Sequence, residues 1–380
     1  MLRVEVKPEL LTWARERAGR NLASLINRFP KIELWESGEQ KPTLKQLEAF
    51  AKAVHVPVGY LFLSSPPEEE LPIPDMRTPG NRFLGSASAD LLDILYLCQR
   101  RQAWYRDYAR TTGEVPLEFA GSVSINASII ETAQAMRNIL RFNIEDRKNC
   151  PAWTEALRRF IQQAEDIGVL VMISGVVGSN NQRKLDPDEF RGFALADDLA
   201  PLVFINGADT KAAQMFTLAH ELAHLWLGQS ALSDQSANLF SSKKIEQWCN
   251  AVAAELLVPE SALHKEMLGK MPLNMVSELA RKFKVSTLVI LRRLYDLKKI
   301  NKSQFHQSYS RELQKLISIP RSSGGDFYLT QEVRASRRFV HALVASTLEG
   351  QTLYRDAFQL LTIKKEKTFL ELGARMGISL

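Results

Sequence analysis

Between Phe216 and Gly228 the chain reads FTLAHELAHLWLG, two histidines and a glutamate set into an otherwise apolar run. Residues four apart lie one turn above each other on a helix, so a helix here brings His220 and His224 to a single point. Leu218, Ala219, Leu222, Ala223, Leu225, Trp226 and Leu227 surround them and predict burial on most sides. Ionisable groups in such a run are costly unless a metal or a hydrogen-bond network compensates them. Zinc suits the pattern. Three protein ligands and a water make a catalytic zinc site, and Glu221 is placed to take the proton from that water as it attacks a carbonyl. Asp209 or Thr210 can cap the start of this helix, and Gly228 can end it.

Two histidines leave one ligand to find. The next helical segment, KKIEQWCNAVAAELLVP from Lys243 to Pro259, holds two carboxylates, Glu246 and Glu255. Glu246 is preferred: it lies 22 residues past His224, enough for a loop and a return helix. Asn250, one turn later on the same face, is a candidate to hold a ligating histidine or Glu246 in position. Glu255 reads equally as a packing or capping carboxylate. Cys249 is better read as a small buried apolar residue than as a thiolate ligand.

A small sheet is expected just upstream. Val169 to Ile173 is a continuous apolar run between Gly168 and Gly175, and Phe190 to Ala196 and Leu202 to Ile205 are two further candidate strands.

The flanks are helical. Leu10, Leu11, Ala14 and Ala18 form one stripe, and Leu22, Ala23, Leu25 and Ile26 a second. A third short helix is expected from about Lys31 to Ser37. Thr43 caps a fourth with core positions Leu44, Leu47, Phe50, Ala51 and Val54, and Val58, Leu61 and Phe62 close the set. Ser64 to Asn81, with five prolines and three successive glutamates, reads as an extended linker. From Asp90 to Phe142 the pattern is helical again, with Arg100, Arg101, Arg106 and Arg110 expected as a solvated face and Trp104 and Tyr105 turned inward. After Pro259, Ser277 to Ile300 looks like a further helix-turn-helix pair. Leu279, Ala280, Phe283, Leu288, Leu291 and Leu294 fit its core, and Lys282, Lys284, Arg292, Arg293, Lys298 and Lys299 are expected largely outward. Ser322 to Phe327 reads as a hinge into a last helical segment, Thr330 to Leu372. His306 and His341 lack metal-ligand spacing, although His306 or Tyr328 could fold over the site to stabilise an oxyanion.

Charge is uneven along the chain: residues 1–63 carry a net +3, residues 64–259 a net −7 and residues 260–380 a net +10. The basic ends permit nucleic-acid contact without demonstrating it. Three cysteines, Cys98, Cys150 and Cys249, are spaced neither as a zinc ribbon nor as a disulfide framework. With no apolar signal core at MLRVEVKPELL and no run long enough to cross a bilayer, a cytoplasmic protein without membrane contact is expected.

FTLAHELAHLWLG followed by IEQWCNAVAAELLVP resembles the ImmA/IrrE family of bacterial zinc metallopeptidases, and the resemblance extends upstream through EFRGFALADDLAPLVFINGADTKAAQ. It implies zinc ligands at His220, His224 and Glu246, Glu221 as general base, and a sheet edge beside the site helix that pairs with an extended substrate. It also implies a target: several members cleave or inactivate a transcriptional repressor. WESGEQKPTLKQLEAFAKAVHVPVGYLF is similar to the second half of the lambda-repressor-like helix-turn-helix domain of Xre-type regulators, whose third helix lies in the major groove. That resemblance places Lys31, Glu33 and Lys41 towards DNA. The chain departs from the pattern by one residue between the second and third helices, with Phe29, Pro30 and Lys31 where polar residues usually open the recognition helix. A fold retained for protein contact is therefore the rival to DNA binding.

The expectation is an α+β chain in four parts. Residues 1–63 form an all-α helix-turn-helix bundle and 64–84 a linker. Residues 85–305 form a helical lead-in and a zincin-like peptidase core with trailing helix-turn-helix-like helices, and 306–380 a helical C-terminal region. The expected function is a zinc-dependent endopeptidase acting on a repressor or antitoxin, with possible targeting to double-stranded DNA. The alternative is a DNA-binding regulator or antitoxin-like partner whose metal site is structural or weakly active. The oligomeric state is not legible.

Overall fold

The computed structural model describes residues 3–76, 87–233, 244–267, 272–318 and 327–378. The chain divides into two compact units, one of residues 1–72 with 85–93 and the other of 73–84 with 94–380. The expected hinge at 322–326 and linker residues 77–84 lie outside the described residues, as does the Tyr328 side chain.

The first unit is a bundle of short helices, Pro8–Arg17, Leu22–Ile26, Ile32–Glu36 and Leu44–Ala53, closed by a 3-10 turn at Val58–Phe62. Asn21 caps the second helix through Ser24 N–H. Thr43 and Gln46 form a reciprocal capping box on the fourth. Leu10, Leu11, Ala14, Phe29, Ile32, Trp35, Leu47, Phe50 and Leu61 form the core. Five expected core positions face out instead: Ile26, Leu44, Val58 and Phe62 are 37%, 43%, 36% and 49% exposed, and Ala23 is exposed as well. Leu44 is the first residue after the cap, and a five-residue helix such as Leu22–Ile26 has only one turn to bury, which Leu25 supplies.

The second unit is α+β. Its main sheet has the order β1 (Leu170–Ser174), β5 (Leu202–Asn206), β4 (Gly192–Leu195), β6 (Ala231–Ser233), with β1 parallel to β5 and the other two pairings antiparallel. β2 (Val176–Val177) and β3 (Asn180–Lys184) form a separate antiparallel ribbon. The three expected strands are β1, β4 and β5, each within a residue or two of its reading. β4 and β5 are buried at every position because both sheet faces are covered, which is why they read as unbroken apolar runs. Val171, Ala194, Val203 and Ile205 share a core with Leu218, Ala219 and Leu222 of the helix Lys211–Trp226. Met172 meets Cys98 and Arg101 of the helix Ala89–Thr112.

Two arginines expected in solvent are buried. Arg101 is 2% exposed and donates to Leu360 O at 2.9 Å and Arg334 O at 3.0 Å, the ends of the helices Tyr354–Leu361 and Phe327–Ala335. Helix C-termini leave carbonyls without intrahelical partners, and a guanidinium fork can satisfy two at once. Arg293, in the helix Thr287–Asp296, is buried against Glu255 and Val258 O. The core positions named for Ser277 to Ile300 are all buried. Among the described residues no helix is long and apolar enough to cross a membrane.

Candidate metal centre

The helix Lys211–Trp226 is capped by Thr210, whose hydroxyl accepts from Ala213 N–H. It ends at Gly228, whose φ of +66° lets Gln229 N–H turn back to His224 O. Between these limits His220, Glu221 and His224 are fully buried. The return helix Lys244–Leu257 packs against it and presents Glu246 from its first turn.

These elements bring three ligand atoms to one point. His220 Nε2 and His224 Nε2 are 3.1 Å apart, and the Glu246 carboxylate lies 3.2 Å from the first and 3.0 Å from the second. The three residues form a group that could hold a metal ion. A tetrahedron with zinc-like arms of about 2.0–2.1 Å has edges of about 3.3 Å, close to these separations. Tautomer chemistry agrees. Asn250 Oδ1 lies 3.1 Å from His220 Nδ1. As an amide oxygen can only accept, the His220 proton sits on Nδ1 and the Nε2 lone pair points into the cluster. Burial lowers the basicity of His224, so it too favours the neutral ring that a metal requires. For Glu246 burial works upward, but the two imidazoles outweigh it and hold the carboxyl well below the usual range, ionised. The donor set therefore fits zinc: two imidazoles and one ionised carboxylate.

The rival ligands are accounted for. Glu255 is committed to Arg293 and also accepts from Glu260 N–H. Burial first, then the charges of Glu246 and Glu221, push the Cys249 thiol well above its ordinary range, so it stays protonated. Cys249 belongs to the hydrophobic core. His306 is exposed and stacks edge-on to Phe305.

Gly192 is a site residue that sequence reading passed over. A Cβ there would lie 3.1 Å from Glu221 Oε1, 2.7 Å from Thr217 Cγ2 and 2.9 Å from Phe204 O. The bare backbone at the start of β4 is what lets the strand lie against Glu221. The signal was present: a glycine inside a predicted strand often marks a close approach.

The residues proposed to face DNA lie in the first unit. Lys31, Glu33 and Lys41 are all exposed. Lys31 lines a cavity of about 320 Å³ with Arg3, Trp35, Gln40, Thr43 and Gln46, and Lys41 pairs with Glu5 at 3.2 Å.

No curated protein sequence and no solved structure matches the chain. Residues 335–375 match a domain of unknown function (DUF8813). Residues 164–295 match the family model described as the IrrE N-terminal-like domain, a peptidase family. That span, about a third of the chain, contains the main sheet, both site helices and all but the last residue of the Arg293 helix. It makes this part of the chain similar to a metallopeptidase domain of the ImmA/IrrE type.

Proposed function

We propose that the chain is a zinc-dependent endopeptidase that cleaves a regulatory protein, a transcriptional repressor or an antitoxin. The observation that carries this is the convergence of His220 Nε2, His224 Nε2 and the Glu246 carboxylate within 3.0–3.2 Å, with Glu221 next in sequence to the first ligand. His220, His224 and Glu246 would hold the ion. Zinc there would polarise the scissile carbonyl and bring a water's acidity near neutral pH. Glu221 takes the proton from the attacking water on its carboxylate and delivers it to the departing amine nitrogen. Asn250 keeps His220 in the tautomer that leaves Nε2 free to bind. Gly192 leaves Glu221 the room it needs, because any side chain would press on the carboxylate.

The first unit, with Lys31, Glu33 and Lys41 on its surface, brings the enzyme to its target, through double-stranded DNA or through the regulator itself. A cytoplasmic setting is consistent with Cys98, Cys150 and Cys249, all free and buried.

The test is co-expression with candidate regulators, comparing the native chain with Glu221→Gln. The expected result is one regulator shortened by the native chain alone, with equal zinc content in both proteins. Failure of the native chain to shorten any regulator, or identical fragments from the variant, contradicts the reading.

A further inference from the structure

Behind the metal centre lies a cavity of about 500 Å³, a size that suits a small-molecule ligand. It is lined by Asn250 and Ala251 of the helix Lys244–Leu257, by Ile129 and Ile130 at the start of the helix Ile129–Ile139, and by Glu260 and Arg292. Its described lining includes none of His220, Glu221, His224 or Glu246. The imidazole of His220 accounts for the separation: Nε2 faces the other two metal ligands, while Nδ1, on the opposite edge of the ring, faces Asn250. Asn250 is therefore a shared wall, with His220 on one side and the cavity on the other.

The walls carry both signs of charge. Arg293 and Glu255, which also reach the cavity, are committed to each other. Arg292 bonds the two oxygens of Asp296 at 3.1 and 3.2 Å through Nε alone, which leaves its terminal nitrogens for a second anion. Glu260 is half-buried, and its ion-pair partner among the described residues is exposed His264 at 4.0 Å. Asn250 gives its oxygen to His220, and its NH2 group has no acceptor among the described residues. Ile129, Ile130 and Ala251 add an apolar patch. Donors for an anion, a carboxylate for a cation and a hydrocarbon surface thus meet in one space.

We propose that this cavity binds a small zwitterion, an α-amino acid with an apolar side chain: its ammonium on Glu260, its carboxylate on Arg292 and the Asn250 NH2 group, and its side chain on Ile129, Ile130 and Ala251. The site stands apart from the peptidase reading; its effect on the metal centre rests on the zinc reading. An Asn250 amide turned the other way would donate to His220 Nδ1, place the ring proton on Nε2 and block a metal ligand. A carboxylate that accepts from the Asn250 NH2 group holds the amide in the orientation that keeps Nε2 bare. The amino acid and zinc therefore bind with positive coupling, and each raises the affinity of the other by the same factor.

The experiment is calorimetric titration of the full chain, zinc-free and zinc-loaded, with each of the common amino acids. At least one apolar amino acid should bind in the millimolar range or tighter, and about fivefold or more tighter to the zinc-loaded chain. Its analogues without the amino group or without the carboxylate should bind about tenfold or more weaker. Glu260→Gln should lose a similar factor against the intact amino acid, with zinc affinity in its absence unchanged. Ala251→Leu, which fills the cavity, should also abolish binding and covers the case in which Glu260→Gln disturbs the start of the helix Glu260–Met267. No binding by any amino acid, or binding that survives both substitutions in folded protein, overturns the proposal. Binding that both variants lose but that is equal with and without zinc leaves the site standing and overturns the coupling. If the chain takes up no zinc, the zinc reading falls and the zinc-free titration alone decides the site.

Discussion

Glu246 and Glu255 are two buried carboxylates on one helix, nine residues apart, and they do opposite things. Glu246 stands in the first turn, where the helix dipole favours a negative charge, and faces two imidazole nitrogens. Glu255 stands in the last turn, where the dipole opposes it, and faces a guanidinium. That end of the helix is crowded with cations: Arg137 donates to Glu255 O, Arg147 to Leu257 O and Arg293 to Val258 O. One carboxylate thus faces two imidazoles with which it could share an ion, and the other is saturated by a fixed positive charge. Burial alone does not mark a candidate ligand; the chemical type of the neighbours does.

The comparison breaks if Glu255 is dispensable. Glu255→Ala leaves Arg293 buried without its counter-charge and should cost about 3–5 kcal/mol in denaturant unfolding. Zinc stoichiometry should be unchanged wherever the variant is folded. Replacing both partners, Glu255→Leu with Arg293→Met, should recover most of that loss, because an apolar pair removes both desolvation penalties.

A half-buried carboxylate, Glu165, sharpens the contrast from the other side. Glu165 has no cation bonded to its carboxylate; it accepts from Ser336 Oγ and Arg337 N–H at the start of the helix Arg337–Leu348. Burial pushes its carboxyl up to about 7. A folded value above the unfolded one means that the stabilisation is complete below about pH 4.5 and is lost as pH rises through 7. The loss should amount to about 2–4 kcal/mol between those limits. Glu165→Gln should flatten this part of the stability profile, measured by denaturant melts from pH 4.5 to 8.

Two smaller effects concern the supports of Glu221 and His220. Gly192→Ala forces a methyl against Phe204 O, which is backbone and cannot yield cheaply, and should destabilise by about 1–3 kcal/mol. Asn250→Ala frees the His220 tautomer and should weaken zinc binding about 10- to 100-fold while leaving the melting temperature of the metal-free protein nearly unchanged. Competition with a chromogenic chelator measures the first quantity and calorimetry the second.

Much of the site was legible because its chemistry is local. The spacing of His220 and His224 follows from helix geometry, and Thr210 and Gly228 bound that helix as cap and terminator. Strands β1, β4 and β5 were legible because burial on both faces writes them as apolar runs. What escaped depends on partners far away in sequence. Arg101 looks like one of four surface arginines until the helix ends at Arg334 and Leu360 fold over it. Arg293 looks like its neighbour Arg292, yet a one-residue rotation turns it inward to Glu255. Three-residue β6 is too short to show a period, and Pro74 to Met76 carries the composition of a linker although Asp75 forms a bridge with Leu232 of β6. Leu44 erred the other way, an apolar residue in phase with a core stripe but placed on the exposed first turn.

Glu246, and not Glu255, is proposed to complete a zinc site with His220 and His224. Zinc titration of the metal-free protein beside Glu246→Gln tests it most directly. One zinc per chain is expected in the native protein, with at least a hundredfold loss of affinity in the variant. A native chain that binds no zinc, or a variant that binds it as tightly as the native chain, contradicts the account.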